Sequence, residues 1–318
     1  MDKRNKMPLS THAGRRPAPR RGRLDLQSAL AESFLALIGR TSSDLPGDVD
    51  RALNLAAKQE ARGSRARATL ETLLENVQLA RTGVAPLCQD TGTLYFSVRL
   101  PQNYPTQHLV TAARQAVAEA TRRGLLRQNT LNSLTGESHP LNLAEGAPVF
   151  HFSPSARSTP EIRLIMKGGG SENVGVQFSL PDEAIGAGRD VEGIRRCVLE
   201  TVVRAQGNGC APGILGVCIG GDRAGGYQQA KEQFFRELDD VSPDAILAEW
   251  EKRWLDEANS LGIGPMGLGG KTTLLGLKIG TLSRVPASFF VTTAYMCWAF
   301  RRRGLVLTPE GGIHKWLY

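Results

Sequence analysis

The sequence has no C-x-x-C pair, and its cysteines number five, at positions 88, 197, 210, 218 and 297. An odd count without paired spacing argues against a disulfide framework, a zinc ribbon and a thioredoxin-like motif, and it fits a reducing, cytoplasmic compartment. Nowhere do 18 successive apolar residues occur, so no segment has the form of a membrane-spanning helix. No internal repeat is present, and no low-complexity block occurs beyond the N-terminal tail. Basic excess is confined in the same way. The net charge is +8, yet Lys3, Arg4, Lys6, Arg15, Arg16, Arg20, Arg21 and Arg23 stand in the first 24 residues against Asp2 alone. The rest is near neutral and shows no strong bias toward nucleic acid. Residues 1–24 read as a disordered basic tail, with a nucleic-acid or targeting arm as the alternative. They hold no apolar run for a secretory signal, and Pro17 and Pro19 oppose an amphipathic transit helix.

What is present is an ordinary globular composition, 41% hydrophobic and 22% charged over 318 residues, with 35 glycines bunched into clusters. That is well above the usual glycine share of about 7% and marks places where backbone approaches something closely. Residues 25–318 read as one α+β domain with an N-terminal helical layer and mixed β-sheets. Helices are expected over 26–38 behind Asp25, over about 48–62, and behind Ser64 as far as Gly83. Strands are expected over 94–100, 161–166, 214–219, 274–282 and 287–295. Helices are expected over 106–123, 190–206, about 223–236, and from a Ser242-Pro243 cap to about 261. Residues 132–160 read as a loop or short hairpin, and Arg301-Arg302-Arg303 as a solvated helix start.

Several stretches carry chemistry. Cys88-Gln89-Asp90-Thr91-Gly92 puts a thiol and a carboxylate on one tight turn before a strand; a thiolate can ligate metal and a carboxylate can move protons. Cys210 lies on a Gly-containing turn and Cys297 ends a strand, whereas Cys197 in a helix pattern and Cys218 in an apolar strand read as core thiols. Three thiolates with an open fourth position suit an iron–sulfur cluster used as a Lewis acid rather than for electron transfer. Lys167-Gly168-Gly169-Gly170 follows a strand and can form a nest for a carboxylate or a phosphate. The cluster Gly264 to Thr273 fails as a P-loop, because the spacing back from Gly270-Lys271-Thr272 requires glycine where Pro265 stands. Arg127, Lys167, Lys271 and Arg301 to Arg303 are available to hold a dicarboxylate.

In order along the chain stand Cys88-Gln-Asp-Thr-Gly92, Lys167-Gly-Gly-Gly-Ser-Glu-Asn173, Gly209-Cys-Ala-Pro-Gly213, Gly262-Ile-Gly-Pro-Met-Gly-Leu-Gly-Gly-Lys-Thr-Thr273 and Cys297-Trp-Ala299. Together they resemble class I fumarate hydratase, the iron–sulfur family that includes tartrate dehydratase, from about residue 25 to the C-terminus. The resemblance covers the cluster-binding α part, not the swivelling β part that completes the active site in that family. It implies that Cys88, Cys210 and Cys297 hold a [4Fe–4S] cluster and that Asp90 does acid–base work with Gln89 facing the substrate. It also implies that Arg127, Lys167, Thr91 and a Gly170 N–H bind the substrate, and that the reaction is reversible hydration of fumarate to malate. A β-subunit partner and a dimer of α subunits follow from it. A tartrate dehydratase α subunit and a non-catalytic iron–sulfur regulatory protein are the alternatives. The chain departs from the pattern at Val285 and Gln128, where relatives often carry histidine; both changes are expected on the substrate side of the pocket.

Overall fold

A computed structural model describes residues 25–318; the expected basic tail lies outside the described residues. Helices α1 (Leu26–Ser43), α2 (Gly47–Gln59) and α3 (Arg65–Gly83) form the N-terminal layer. Asp25 and Ser64 cap α1 and α3 by accepting hydrogen bonds from Ser28 N–H and Arg67 N–H. The chain continues through β1 (Thr93–Leu100), α4 (Thr106–Arg122), β2 (Val149–Pro154), β3 (Glu161–Lys167), a single helical turn α5 (Gly169–Asn173) and β4 (Val176–Ser179). It ends with α6 (Val191–Ala205), β5 (Gly213–Gly220), α7 (Arg223–Glu232), α8 (Ala245–Ser260), β6 (Leu274–Leu282), β7 (Phe290–Met296), β8 (Arg301–Leu307) and β9 (Ile313–Leu317). The last long helix starts two residues later than its Ser-Pro pair suggests. Asp244 is the cap and accepts from Ile246 and Leu247 N–H, while Ser242 Oγ accepts from Asp244 N–H.

Two mixed sheets result, one ordered β2-β1-β3-β8-β9 and the other β4-β7-β5-β6. Side chains alternate across them with the period of two that strands impose. Phe96, Val98, Ile162 and Leu164 face α1 and α4, whereas Tyr95 and Ile165 face the opposite way, into a core shared with α2, α3 and Trp298. In the second sheet Leu215 and Val217 pack with α6 and α8 while Ile214 and Cys218 join the shared core. Helix α7 lies close on β5, since a Cβ at Gly216 would come within 2.2 Å of the Ala230 carbonyl oxygen.

The arginine run is a buried strand rather than a solvated helix start. Arg302 is fully buried, with Nη2 2.6 Å from Asp48 Oδ2 and Nη1 donating to the Phe234 carbonyl. Arg303 pairs with Asp44 at 2.7 Å and donates to the Leu45 carbonyl. These ion pairs fasten the start of α2 onto the first sheet. Their long side chains replace the apolar residues that would have marked β8 in the sequence. β2, expected within a loop or short hairpin, is hard to place for a different reason: it lies at an edge, paired on one side only, to β1.

Asp48→Ala leaves a fully buried guanidinium without its carboxylate and is expected to cost about 3–5 kcal/mol of stability in urea unfolding. Arg51→Ala, which breaks the exposed pair with Asp239, serves as the control and should leave the transition unchanged. Equal effects of the two would contradict the role given to the buried pair.

Candidate active site

The strand registers bring four loops to one edge. Thr93 pairs with Lys167 and Met166 with Arg301, so the start of β1, the end of β3 and the start of β8 share one end of the first sheet. In the second sheet Ile214 pairs with Met296 and Gly213 with Leu274, which puts the start of β5 beside the end of β7. Two crossings between sheets occur there, β3 to β4 through 168–175 and β7 to β8 through 297–300. Cys88-to-Gly92 enters β1, Lys167-to-Gly170 leaves β3, Gly209-to-Pro212 enters β5, and Cys297 leaves β7.

The Cys210 and Cys297 loops are joined to each other. Trp298 N–H donates to the Cys210 carbonyl at 3.2 Å. The Tyr295 ring fills the space beside Gly209 and Gly213, where added Cβ atoms would come within 2.5 and 2.1 Å of it. Cys210 itself adopts a left-handed φ of 54°, which turns the chain out just before β5. Cys210 is exposed, and Cys88 and Cys297 are half-buried. Desolvation pushes the Cys210 thiol up, and the neighbouring Cys88 and Asp90 push it further. Burial raises the Cys297 thiol, Arg301 opposes that, and Cys210 and Cys88 add to it. Each site thiol is thus within electrostatic reach of the others. Among the described residues no three His, Cys, Asp or Glu side chains stand close enough for a single metal ion. A cluster carries its own sulfides between the irons and accepts ligands spread more widely, so an all-thiolate donor set of this kind fits it better than one ion. Cys197 and Cys218 are buried in α6 and β5, with thiols pushed up by burial to about 12 and about 11, and they take no part.

Beside the cysteines, Asp90 Oδ2 accepts from Gly169 N–H at 2.7 Å. The glycine nest therefore receives an anion from its own chain. A Cβ at Gly168 would sit 2.8 Å from Asp90 Oδ2 and displace that carboxylate, and one at Gly92, at φ 73°, would clash at 2.3 Å with the Lys167 carbonyl. Gly170 is exposed at the start of α5, with the Asn208 carbonyl opposite it. Thr91 is buried, and its Oγ1 accepts from Arg127 N–H at 3.1 Å, so it positions the Arg127 backbone. Gln89, Asp90, Arg127, Gln128 and Asn129 line an open cavity of about 570 Å³. The Arg127 side chain is exposed and has no ion pair among the described residues.

Three placements depart from expectation. The Lys167 ammonium is buried and 2.7 Å from Glu172, which also holds Lys231. It faces a separate cavity of about 270 Å³ with Tyr95 and His151, away from Arg127. Burial draws its pKa down and Glu172 opposes that. Val285 lies in the β6–β7 turn, at the other end of β7 from Cys297 and about 20 Å of strand away. Of the two departures from the family pattern, only Gln128 is on the cavity side. Lys271 belongs to a loop whose Lys271 and Thr272 N–H groups both donate to buried Glu60 Oε1, at 2.7 and 3.0 Å, so that glycine cluster is braced by a carboxylate of α2's end rather than open to phosphate.

Asn142 carries no motif and escaped sequence reasoning. It is buried, at φ 58°, and its Oδ1 accepts from Asn129 and Thr130 N–H while Nδ2 donates to the Arg127 carbonyl and Thr121 Oγ1. Its one available signal is that asparagine tolerates the left-handed region and satisfies turns. Asn142→Ala strands these backbone groups and should cost about 1–3 kcal/mol. Amide exchange at 127–130 should accelerate; unchanged exchange would remove Asn142 from the support of Arg127.

The sequence model of the family described as fumarate hydratase (Fumerase) matches residues 31–306. A protein of Geobacillus stearothermophilus, provisionally named class I fumarate hydratase, is 50% identical over 293 residues, which is 91% of this chain and 57% of that protein. A Methanocaldococcus jannaschii protein, provisionally named L(+)-tartrate dehydratase subunit alpha, is 34% identical over 86% of this chain and 95% of its own length. The L(+)-tartrate dehydratase subunit alpha of Escherichia coli K12 is 29% identical over 88% of this chain and 90% of its own length. The chain thus spans little more than half of the first relative and nearly all of the other two. With cysteine loops, nest and Asp90 turn gathered at one sheet edge, this chain belongs to the fumarate hydratase (Fumerase) family.

Proposed function

We propose that the chain is the cluster-binding, α-type part of a hydro-lyase that interconverts fumarate and malate, working with a β-type partner. The observation that carries this reading is the gathering of Cys88, Cys210 and Cys297 beside the Asp90–Gly169 contact and the exposed Arg127 at one edge. The 50% identity to a protein named for fumarate hydration supports the substrate. The alpha-subunit names of two relatives support the partner. The match to nearly the full length of tartrate dehydratase alpha subunits supports tartrate as the second reading.

Cys88, Cys210 and Cys297 would hold a [4Fe–4S] cluster, which would supply Lewis acidity to a poor leaving group, hydroxide. The protein does the rest. Arg127 offers a planar, charged fork to one substrate carboxylate, and its backbone is fixed from both sides by Thr91 and Asn142. Asp90 has Oδ2 tied to Gly169 N–H, which fixes the orientation of Oδ1 for moving a proton. Gln89 is exposed beside it and can donate to the second carboxylate. The exposed Gly170 N–H adds a donor at the same edge. The cavity is open, so water exclusion falls to the partner.

The chain, loaded with iron and sulfide without oxygen and mixed with a β-type partner, should hydrate fumarate. Asp90→Asn should lower kcat by about 10²–10⁴ at unchanged iron content. Dehydration of tartrate in preference to malate would favour the second reading. A full cluster with no turnover of either acid would show a non-catalytic iron–sulfur protein instead.

A further inference from the structure

Arg301 is the member of the arginine run that has no carboxylate partner among the described residues. Arg302 and Arg303 have Asp48 and Asp44. The Arg301 side chain is fully buried, and its Nε and Nη1 have no hydrogen-bond partner among the described residues. No carboxylate pairs with it there either. Burying an unpaired guanidinium costs several kcal/mol, and most buried polar groups in folded proteins are satisfied. A charge retained in this state points to an anion that the polypeptide alone does not supply.

Its position identifies the anion. Arg301 opens β8 at the site edge, opposite Met166, immediately after the four-residue crossing that begins with Cys297. Its charge reaches the Cys297 sulfur, where it works against the upward push of burial on the thiol. Lys167, the other buried cation near Cys297, is already held by Glu172. Among the described residues Arg301 is the buried cation beside Cys297 that no carboxylate holds.

We propose that Arg301 is the counter-charge of the cysteine-held cluster, its buried N–H groups donating to cluster and thiolate sulfur. The inference rests on the cluster reading given above. Arg301 is a positioning and tuning residue: it touches neither substrate carboxylate nor the proton in transit. Hydrogen bonds and positive charge at the sulfurs stabilise the reduced, more negative state, so the guanidinium raises the reduction potential and retains the cluster. The same side chain burdens the apoprotein, where no anion answers it.

The test uses the full chain as wild type, Arg301→Met and Arg301→Lys, each measured empty and after anaerobic loading. Loaded Arg301→Met should show a potential shifted to more negative values and should lose iron to a chelator about 10-fold faster or more. Arg301→Lys, which keeps the charge, should recover part of both. Empty Arg301→Met should unfold at a higher denaturant concentration than empty wild type, because an unpaired buried charge has gone. A loaded Arg301→Met with wild-type potential and wild-type iron loss would overturn the proposal. So would an empty Arg301→Met that is less stable or fails to fold, since the guanidinium would then have a protein partner. Wild type that takes up no cluster would overturn the cluster reading itself; uptake by wild type with any of the other adverse results would overturn only the role of Arg301.

Discussion

The site depends on the chain crossing between its two sheets twice at the same edge. The crossing after β3 must bring Gly168 and Gly169 against the Asp90 carboxylate, and the crossing after β7 must bring Cys297 against the Cys210 loop. Antiparallel pairing of β1 with β3 and of β5 with β7 makes this edge common to strand starts and strand ends. Side-chain alternation locks those registers, because a slip of one residue would turn Phe96 and Ile162 out of one core and Tyr95 and Ile165 out of the other. Residues 209 positions apart in sequence, Cys88 and Cys297, are neighbours in chemistry for that reason alone.

The polar interior is organised on a consistent plan. Loops expose backbone N–H groups, and a carboxylate or amide from elsewhere in the chain accepts from them. Glu60 does this for Lys271 and Thr272, Asp90 for Gly169, Asn142 for Asn129 and Thr130, and Asn259 for Thr273 and Leu274. Such buried groups are stiff when fully satisfied. Rigidity matters at Arg127, whose exposed side chain has no ion pair among the described residues and whose backbone is held by Thr91 and Asn142. Among the buried charges, Arg301 departs from the plan, and it does so at the edge where the thiols meet.

Capped helices and apolar strands were legible in the sequence because each signal is local. Asp25 and Ser64 sit one residue before their helices, and Leu274–Leu282 has the expected bounds. The motif-bearing turns were legible as turns, with Cys88, Asp90, Cys210 and Cys297 at their strand ends. What was not legible depends on distant partners. Three successive arginines look solvated until Asp44 and Asp48 are brought to two of them. Lys167 looks available for substrate until Glu172, one turn later, occupies it. Val285 looks like a pocket residue until β7 carries the chain a full strand length away. Asn142 had no signal beyond its own tolerance of a positive φ.

The central claim is that three sulfurs from three loops share one inorganic centre, and thiol footprinting tests it most directly. In the empty chain, exposed Cys210 and half-buried Cys88 and Cys297 should be alkylated in the folded state, while buried Cys197 and Cys218 react only on unfolding. After anaerobic loading with iron and sulfide, protection should appear at Cys88, Cys210 and Cys297 together, in step with the cluster's visible absorbance. If any one of the three still reacts at its empty-chain rate while that absorbance is full, the shared centre does not exist in the form described.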